Sequence, residues 1–169
     1  MMRALHDPYR TLIDAFNRHG VRYLVVGMAG INYYAQTPAQ TFATMDYDLF
    51  VEPTLKNINQ TLRCLTRLGF SVGTSAGLLK GEHVRAVVRK RSTIVATTSD
   101  GLMVELLLAV SGFTYSGLAR DAATFTIRGI PVKVGRLTKL LRSKQIADRP
   151  KDRQFLRRYQ SLLKEQLQD

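Results

Sequence analysis

Apolar residues recur along this chain with two periods, and these predict a mixture of helices and strands. Leu12, Ile13 and Phe16 lie at helical spacing, as do the apolar residues between Leu55 and Leu68. Shorter apolar runs, most of them rich in β-branched residues, predict strands. The predicted strands cover residues 22–26, 44–51, 93–98, 102–110, 125–128 and 131–134.

Turn residues separate these elements and indicate how they connect. Ser99-Asp100-Gly101 predicts a hairpin between two strands, and a second hairpin is predicted around Gly129-Ile130. Residues 71–81 contain three glycines and predict a loop or an irregular strand. Pro150 is predicted to separate two helical segments. The order predicts one α+β domain, with helices packed on a mixed, partly antiparallel sheet. The predicted helices end at Gly20 and Gly69 in the first half and cover 137–147 and about 151–167 in the second.

Two carboxylates, Asp46 and Asp48, lie one residue apart in the strand predicted at 44–51. Side chains alternate along a strand, so both point to one face, about 7 Å apart, while Tyr47, Leu49 and Val51 point into the core. Like charges repel, so such a pair is favoured where a divalent cation lies between the two groups. The alternative is a strand end whose carboxylates face water, and the pattern alone leaves both interpretations open.

Glu105 is the only charged residue in the strand predicted at 102–110. A buried carboxylate without a partner is strongly unfavourable, so Glu105 needs one. A cation shared with Asp46 and Asp48 supplies such a partner. An edge strand that turns Glu105 to water, or an ion pair with an arginine, is the alternative.

The composition limits the class of protein. A length of 169 residues and a hydrophobic content of 45% are ordinary for one folded domain. No apolar run approaches the roughly 20 residues that span a bilayer, and residues 1–7 lack the apolar segment of a secretion signal. Cys64 is the single cysteine, which excludes an internal disulfide, and its apolar neighbours predict packing in the core. The expected location is the cytoplasm, without membrane contact.

The formal net charge of +12 predicts attraction to a polyanion, either nucleic acid, a nucleotide or an acidic protein. The alternative is a charge that only maintains solubility. Arg85, Arg89, Lys90 and Arg91 concentrate positive charge in one segment. That segment either follows a phosphate backbone or forms a solvated face.

The segment Tyr23–Gly30 (YLVVGMAG), followed by Thr44–Phe50 (TMDYDLF), resembles the nucleotidyltransferase superfamily related to DNA polymerase β. It looks most like the small, stand-alone bacterial members. Leu68-Gly69-Phe70, Gly129–Val132 and residues 137–152 resemble later segments of those proteins in the same order. The resemblance covers most of the chain and implies a nucleotidyltransferase-like fold for the domain.

The resemblance also implies an activity, namely transfer of a nucleoside monophosphate from a nucleoside triphosphate such as ATP to an acceptor, with Mg²⁺ as cofactor. RNA such as tRNA, a protein side chain and a small molecule are the acceptors to consider, and the basic charge favours RNA. Small relatives often occur in toxin–antitoxin pairs, in either role. The implied metal and catalytic residues are Asp46, Asp48 and Glu105, and the implied phosphate-binding residues are Gly27, Met28 and Lys144.

Two residues depart from the pattern of that superfamily. Met28 occupies a position where the family has Gly or Ser, and Phe42 one where close relatives often have Arg. These departures favour the alternative function, a catalytically degenerate protein of the same fold that binds nucleic acid or a partner protein. Asp152 is expected to cap the last helix or to pair with an arginine.

Overall fold

A computed structural model describes residues 8–44 and 46–167 of the chain, and its strands form an eight-stranded mixed sheet. The strand order is β4-β3-β5-β6-β2-β1-β8-β7. The pairs β1–β8 and β2–β6 are parallel, and the other neighbouring strands are antiparallel. The strands are β1 (Tyr23–Val26), β2 (Asp48–Val51), β3 (Ser71–Thr74), β4 (Gly77–Leu78), β5 (Ile94–Thr97), β6 (Met103–Leu107), β7 (Ala123–Ile127) and β8 (Ile130–Val134).

Helices pack on this sheet, as the apolar pattern predicts. The first helix buries Leu12, Ile13 and Phe16, which are at most 1% exposed. Among the described residues no helix is both long and apolar enough to cross a membrane. The helices are α1 (Pro8–Arg18), α2 (Gly27–Asn32), α3 (Leu55–Arg67), α4 (Val84–Lys90), α5 (Tyr115–Ala119), α6 (Leu137–Ala147) and α7 (Pro150–Leu167).

The central strand β2 is shorter than the predicted strand 44–51. Its core-facing residues behave as predicted, since Leu49 and Val51 are fully buried and Tyr47, just before the strand, is 5% exposed. The strand begins only at Asp48 because the preceding backbone folds locally. The backbone N–H of Asp46 donates to Thr44 Oγ1 at 3.1 Å, a contact that competes with pairing in a sheet.

The start of α3 fastens the ends of β1 and β2 that lie away from Gly27. Thr54 caps the helix by accepting a hydrogen bond from the backbone N–H of Asn57. The buried Asn57 side chain accepts from Arg22 N at 2.8 Å and donates to the carbonyl oxygens of Arg22 and Glu52, each at 3.0 Å. This contact fixes the register in which the two central strands meet the helix.

Two details of the C-terminal half differ from the sequence prediction. The β7–β8 turn is Arg128-Gly129 rather than Gly129-Ile130, because Ile127 pairs with Ile130 and both turn residues have positive φ. A two-residue turn of that kind matches the twist of the strands it connects. Pro150 is itself the first residue of α7, one residue before the predicted start at about 151, since the first residue of a helix needs no backbone N–H donor.

Two short helices are absent from the prediction. In α4 the buried residues Val84 and Val87 lie three apart, but β-branched residues in a seven-residue segment indicate a helix only weakly. The helix ends where Arg91 adopts the left-handed conformation, with φ of 55°. In α5 Thr114 caps a five-residue helix by accepting from Gly117 N. Segments this short lie below the length at which periodicity is informative.

Candidate active site

A cleft of about 320 Å³ opens where β1 ends and β2 begins. The carboxylate of Asp48 and the backbone of Gly27 form one wall, and polar residues of α6 and the residue Arg149 form another. The remaining wall is aliphatic. The lining residues are Val26, Gly27, Asp48, Leu107, Ala109, Val110, Ser111, Leu118, Leu140, Ser143, Lys144, Ala147 and Arg149.

Asp48 is the electrostatic centre of this cleft. Its Oδ1 atom is buried and has no hydrogen-bond partner among the described residues. Burial, the largest cause, and the neighbouring carboxylates of Glu105 and Asp46 together raise the pKa of Asp48 to about 6. Lys144 acts in the opposite direction, but its effect is smaller. The surroundings of Asp48 therefore disfavour its charged form, and a cation bound beside the carboxylate would stabilise that form.

Glu105 lies directly beside Asp48. Strands β2 and β6 are parallel, and Asp48 and Glu105 are paired in register, so both side chains project from the same face of the sheet. The two carboxyl groups are close enough to share a hydrogen bond, and the side chain of Glu105 is half-buried. The register of β2 and β6, which hydrophobic periodicity does not determine, thus places Glu105 beside Asp48.

Asp46 lies outside β2, two residues before its partner. It is exposed, and it is close enough to Asp48 for its charge to raise the Asp48 pKa. The prediction that both aspartates belong to one strand is wrong, whereas the prediction that they lie close together agrees with this electrostatic contact. Asp46 is thus an exposed neighbour of Asp48 and is not among the described residues that line the cleft.

Gly27 brings the backbone into contact with Asp48. It has φ of 66°, and a Cβ atom at this position would lie 2.5 Å from Asp48 Oδ2. A larger residue would displace the carboxylate, so glycine is required both by conformation and by space. Met28, which follows it, is half-buried and packs against the hydrophobic core. Whether these two residues contact phosphate stays a prediction.

Lys144 and Arg149 face the cleft from α6 and the segment that follows it, and Asp152 holds both. Asp152 is 1% exposed; it accepts hydrogen bonds from Arg149 N at 3.2 Å and Arg149 Nε at 2.7 Å, and lies 3.6 Å from Lys144 Nζ. Burial alone would raise the pKa of Asp152, but the bonds from Arg149 bring it below its usual value. Asp152 pairs with an arginine and satisfies the N-terminal backbone of α7, as predicted.

The ammonium group of Lys144 is itself partly enclosed. Its side chain is 15% exposed, and Nζ lies 4.9 Å from the centre of the Phe155 ring. Burial lowers the pKa of Lys144, whereas Asp152 and Asp48 oppose that change. A cation on one wall thus faces the Asp48 carboxylate on the other. The dimensions and charges suit a ligand that carries both a cation and phosphate groups.

Ser143 is a lining residue that the sequence analysis does not identify. Its hydroxyl donates to the carbonyl oxygen of Ser111 at 2.7 Å, which ties α6 to the segment after β6. The signal was available, because Leu140, Lys144 and Ala147 share one helical face with it.

Phe42, which departs from the family pattern, is 5% exposed and packs against Phe155 with ring centres 4.7 Å apart.

The residues present fit a magnesium ion. Carboxylate oxygens are the ligands that Mg²⁺ prefers, and the buried Asp48 Oδ1 has no hydrogen-bond partner among the residues that the structure describes. Within residues 8–44 and 46–167, no three His, Cys, Asp or Glu side chains already surround one point. That is compatible with Mg²⁺, which is usually held by one or two carboxylates together with substrate phosphates rather than by a complete protein cage.

Comparison with known proteins identifies the fold. The solved structure of an antigenic nucleotidyltransferase-like protein from Paracoccidioides brasiliensis superposes with a TM-score of 0.52 over 93% of this chain and 76% of that chain. The two sequences are 17% identical, so the likeness establishes a shared fold and not a shared activity. No protein-family model matches the chain, and no curated protein matches it. The fold is nucleotidyltransferase-like, as the resemblance in the sequence implies.

Proposed function

We propose that this protein is a nucleotidyltransferase, which moves a nucleoside monophosphate from a nucleoside triphosphate to an acceptor. The observation that supports this most is the buried Oδ1 atom of Asp48, which has no hydrogen-bond partner in the described part of the chain. It lies beside Glu105, in a cleft whose opposite wall carries Lys144 and Arg149. A carboxylate pair facing two cations is suited to a metal-bound polyphosphate.

Asp48 and Glu105 are the residues proposed to hold Mg²⁺, with Asp46 approaching from the solvent side. When bound, the ion supplies charge neutralisation at the phosphates and assists attack by the acceptor hydroxyl. Glu105 is the proposed alternative acceptor of the hydroxyl proton, because it is half-buried and adjacent to Asp48.

Lys144 and Arg149 are proposed to bind the phosphates of the donor. Asp152 holds both cations on the cleft wall, so their side chains are already oriented before a ligand arrives. Pre-orientation lowers the entropy lost on binding. Gly27 keeps the backbone close to Asp48 and leaves room for the ligand.

The acceptor is proposed from charge rather than from shape. The net charge of +12 favours an anionic acceptor such as tRNA over a neutral small molecule, with a protein side chain as the remaining choice. A role in a toxin–antitoxin pair in the cytoplasm is part of the same proposal, and it rests on the resemblance in the sequence.

Label transfer tests this function. The purified protein is incubated with Mg²⁺ and each α-³²P-labelled nucleoside triphosphate, in the presence of total tRNA or of a protein lysate. We expect Mg²⁺-dependent label on one acceptor with the wild type and with Asp148→Asn, whose carboxylate is 64% exposed. Asp48→Asn should abolish it. Equal labelling by wild type and Asp48→Asn would reject the assignment.

A degenerate protein of the same fold is the second candidate. The buried position of Phe42 favours it, because an aromatic ring packed on Phe155 supplies no charge where close relatives often have an arginine. Such a protein would bind nucleic acid or a partner without transfer. Salt-sensitive RNA binding that persists in Asp48→Asn, with no label transfer by the wild type, is the result that favours this candidate.

A further inference from the structure

A second hollow of about 550 Å³ lies between α3, the β3–β4 hairpin and α4. We call it the α3–α4 groove. It stands at the β4 edge of the sheet and shares none of its described lining residues with the cleft around Asp48. Its lining residues are Asn59, Leu62, Arg63, Thr66, Arg67, Val72, Leu79, Gly81 and Val84.

The floor of the α3–α4 groove is aliphatic and partly open to solvent. Leu62, Val72 and Leu79 are half-buried, and Val84 is 5% exposed. These side chains come from α3, β3, the residue after β4 and α4, so the floor is formed by several parts of the chain rather than by one isolated residue. Apolar surface of this kind in a concave site is suited to a ligand that buries aliphatic groups.

Two arginines border this floor, and no carboxylate of the described residues pairs with either. Arg63 and Arg67 lie four residues apart on α3 and therefore on one side of the helix, about 6 Å from each other. Neither takes part in an ion pair within the described part of the chain, and Arg63 bonds only to the neutral side chain of Gln60. Both guanidinium groups are available to anionic groups of a ligand.

The whole region around the groove is strongly basic. Residues 59–91 contain seven of the 25 Lys and Arg residues of the chain but one of its 13 Asp and Glu residues, Glu82. On α4 the exposed side carries Arg85, Arg89 and Lys90. The positive potential thus extends beyond the two arginines at the rim and attracts an acidic ligand over a distance.

We propose that the α3–α4 groove binds an acidic, amphipathic helical segment of a partner protein. Leucine-type side chains of the segment would occupy the floor formed by Leu62, Val72 and Leu79, and flanking carboxylates would pair with Arg63 and Arg67. A helix presents apolar residues and acidic residues at matching three- and four-residue spacing, which is the spacing of the two arginines.

The lining favours a protein segment over the other candidates. Single-stranded nucleic acid is held by aromatic side chains that stack on bases, and no described residue lining the groove is aromatic. A second copy of this chain is disfavoured because two copies bring the same positive region together. An aliphatic floor bordered by Arg63 and Arg67 is complementary to carboxylates on an apolar face.

The test uses a designed probe. The probe is a fluorescein-labelled 18-residue helical peptide with leucine on one face and glutamate on both flanks, and binding to the full chain is followed by fluorescence anisotropy. We expect binding that weakens about tenfold in the double variant Arg63→Glu/Arg67→Glu. The matched control is Arg120→Glu/Lys133→Glu, which has the same charge change on exposed residues outside the groove, and it should stay within about twofold of the wild type.

A second pair of measurements separates apolar recognition from charge alone. The double variant Leu62→Ser/Leu79→Ser keeps the net charge and should weaken peptide binding severalfold. Thermal melting checks that this variant is folded. A labelled oligo(A) RNA of similar length serves as the competing polyanion. Absence of peptide binding up to about 1 mM, equal loss in the groove and control variants, or RNA binding that alone depends on Arg63 and Arg67 would each overturn the proposal.

Discussion

Asp48 lies in surroundings that disfavour the charged form of its side chain. Burial and two neighbouring carboxylates hold its pKa at about 6, and its Oδ1 atom has no partner among the described residues. In the unfolded chain an aspartate ionises near pH 4. Between these two values the folded protein retains a proton that the unfolded chain releases, so folding is favoured at the acidic side of this interval.

Stability should therefore fall as pH rises from about 4 to 7. Above pH 6 the charged Asp48 lowers the free energy of unfolding by at most about 3 kcal/mol, the equivalent of its pKa shift. Asp48→Asn removes this charge with little change of shape, and it should be more stable than the wild type at pH 8 but not at pH 4. Urea unfolding in EDTA at the two pH values measures the difference.

Asp148→Asn is the matched control for that comparison, because its carboxylate is exposed and lies 3.9 Å from Arg153. It should change stability little at either pH. If the difference in stability between the wild type and Asp48→Asn is the same at pH 4 and pH 8, the surroundings described for Asp48 are contradicted.

Asp152 should be the residue whose neutralisation most disturbs Lys144 and Arg149, the two cations on one wall of the cleft. Its carboxylate is 1% exposed and holds Arg149 and Lys144. Asp152→Asn leaves two cations without their anion and should destabilise the fold by about 3 kcal/mol. It should also weaken the binding of inorganic triphosphate, because the cations lose their orientation. Urea unfolding and calorimetric titration measure the two effects.

Asp152→Glu distinguishes positioning from packing. It restores the charge but lengthens the side chain, so it should recover more of the triphosphate binding than Asp152→Asn does. Equal binding by wild type and Asp152→Asn would show that Lys144 and Arg149 need no anchor.

Charged residues within apolar runs are enough to single out the acidic candidates from the sequence, but not the position of Asp152 beside Lys144 and Arg149. Asp46, Asp48 and Glu105 stand out because charged residues are rare in apolar runs. The depth of Asp152 depends on how α7 packs against α6, a long-range contact with no periodic signal. Its pairing with arginine was predictable from sequence proximity, whereas its burial was not.

At the scale of elements, the start of α3 offers a test of what stabilises the junction between this helix and the central strands. Asn57 makes three hydrogen bonds that join the helix to the ends of β1 and β2, whereas Thr54 makes one capping bond. Asn57→Asp replaces two donated bonds by repulsion between acceptors and should cost about 3 kcal/mol, while Thr54→Ala should cost about 1 kcal/mol. Urea unfolding of both variants gives the order.

The order of the two losses is the decisive part of that experiment. Thr54→Ala serves as the control, because it alters the same helix start without touching the strands. A loss in Thr54→Ala that equals or exceeds the loss in Asn57→Asp would mean that the cap, and not the link to the strands, determines the stability of this junction.

Element prediction succeeded where apolar spacing was long and failed where it was short. The 13-residue α3 carries enough apolar positions to be recognised, but α4 and α5 span seven and five residues. The predicted strand 44–51 was too long because the Thr44 side chain bonds to Asp46 N, and such local competition leaves no trace in the alternation. Side-chain bonds of this kind depend on conformation rather than on pattern.

At the scale of the whole molecule, the sheet order determines which distant residues meet. The parallel pairing of β2 with β6 brings Asp48 and Glu105 together across more than fifty residues of sequence. Hydrophobic periodicity does not encode this order, so the expectation came from the isolated charge of Glu105 in an apolar strand and from the resemblance of the sequence to nucleotidyltransferases. The same order separates the Asp48 cleft from the α3–α4 groove at the β4 edge.

The most direct measurement is a calorimetric titration of the full chain with a non-hydrolysable nucleoside triphosphate analogue, with and without Mg²⁺. We expect binding at one site that requires Mg²⁺, is retained by Asp148→Asn and is lost in Asp48→Asn. Binding that is unaffected by Mg²⁺ and by Asp48→Asn, or no binding by the wild type to any of the four common analogues, would contradict the role assigned to the cleft.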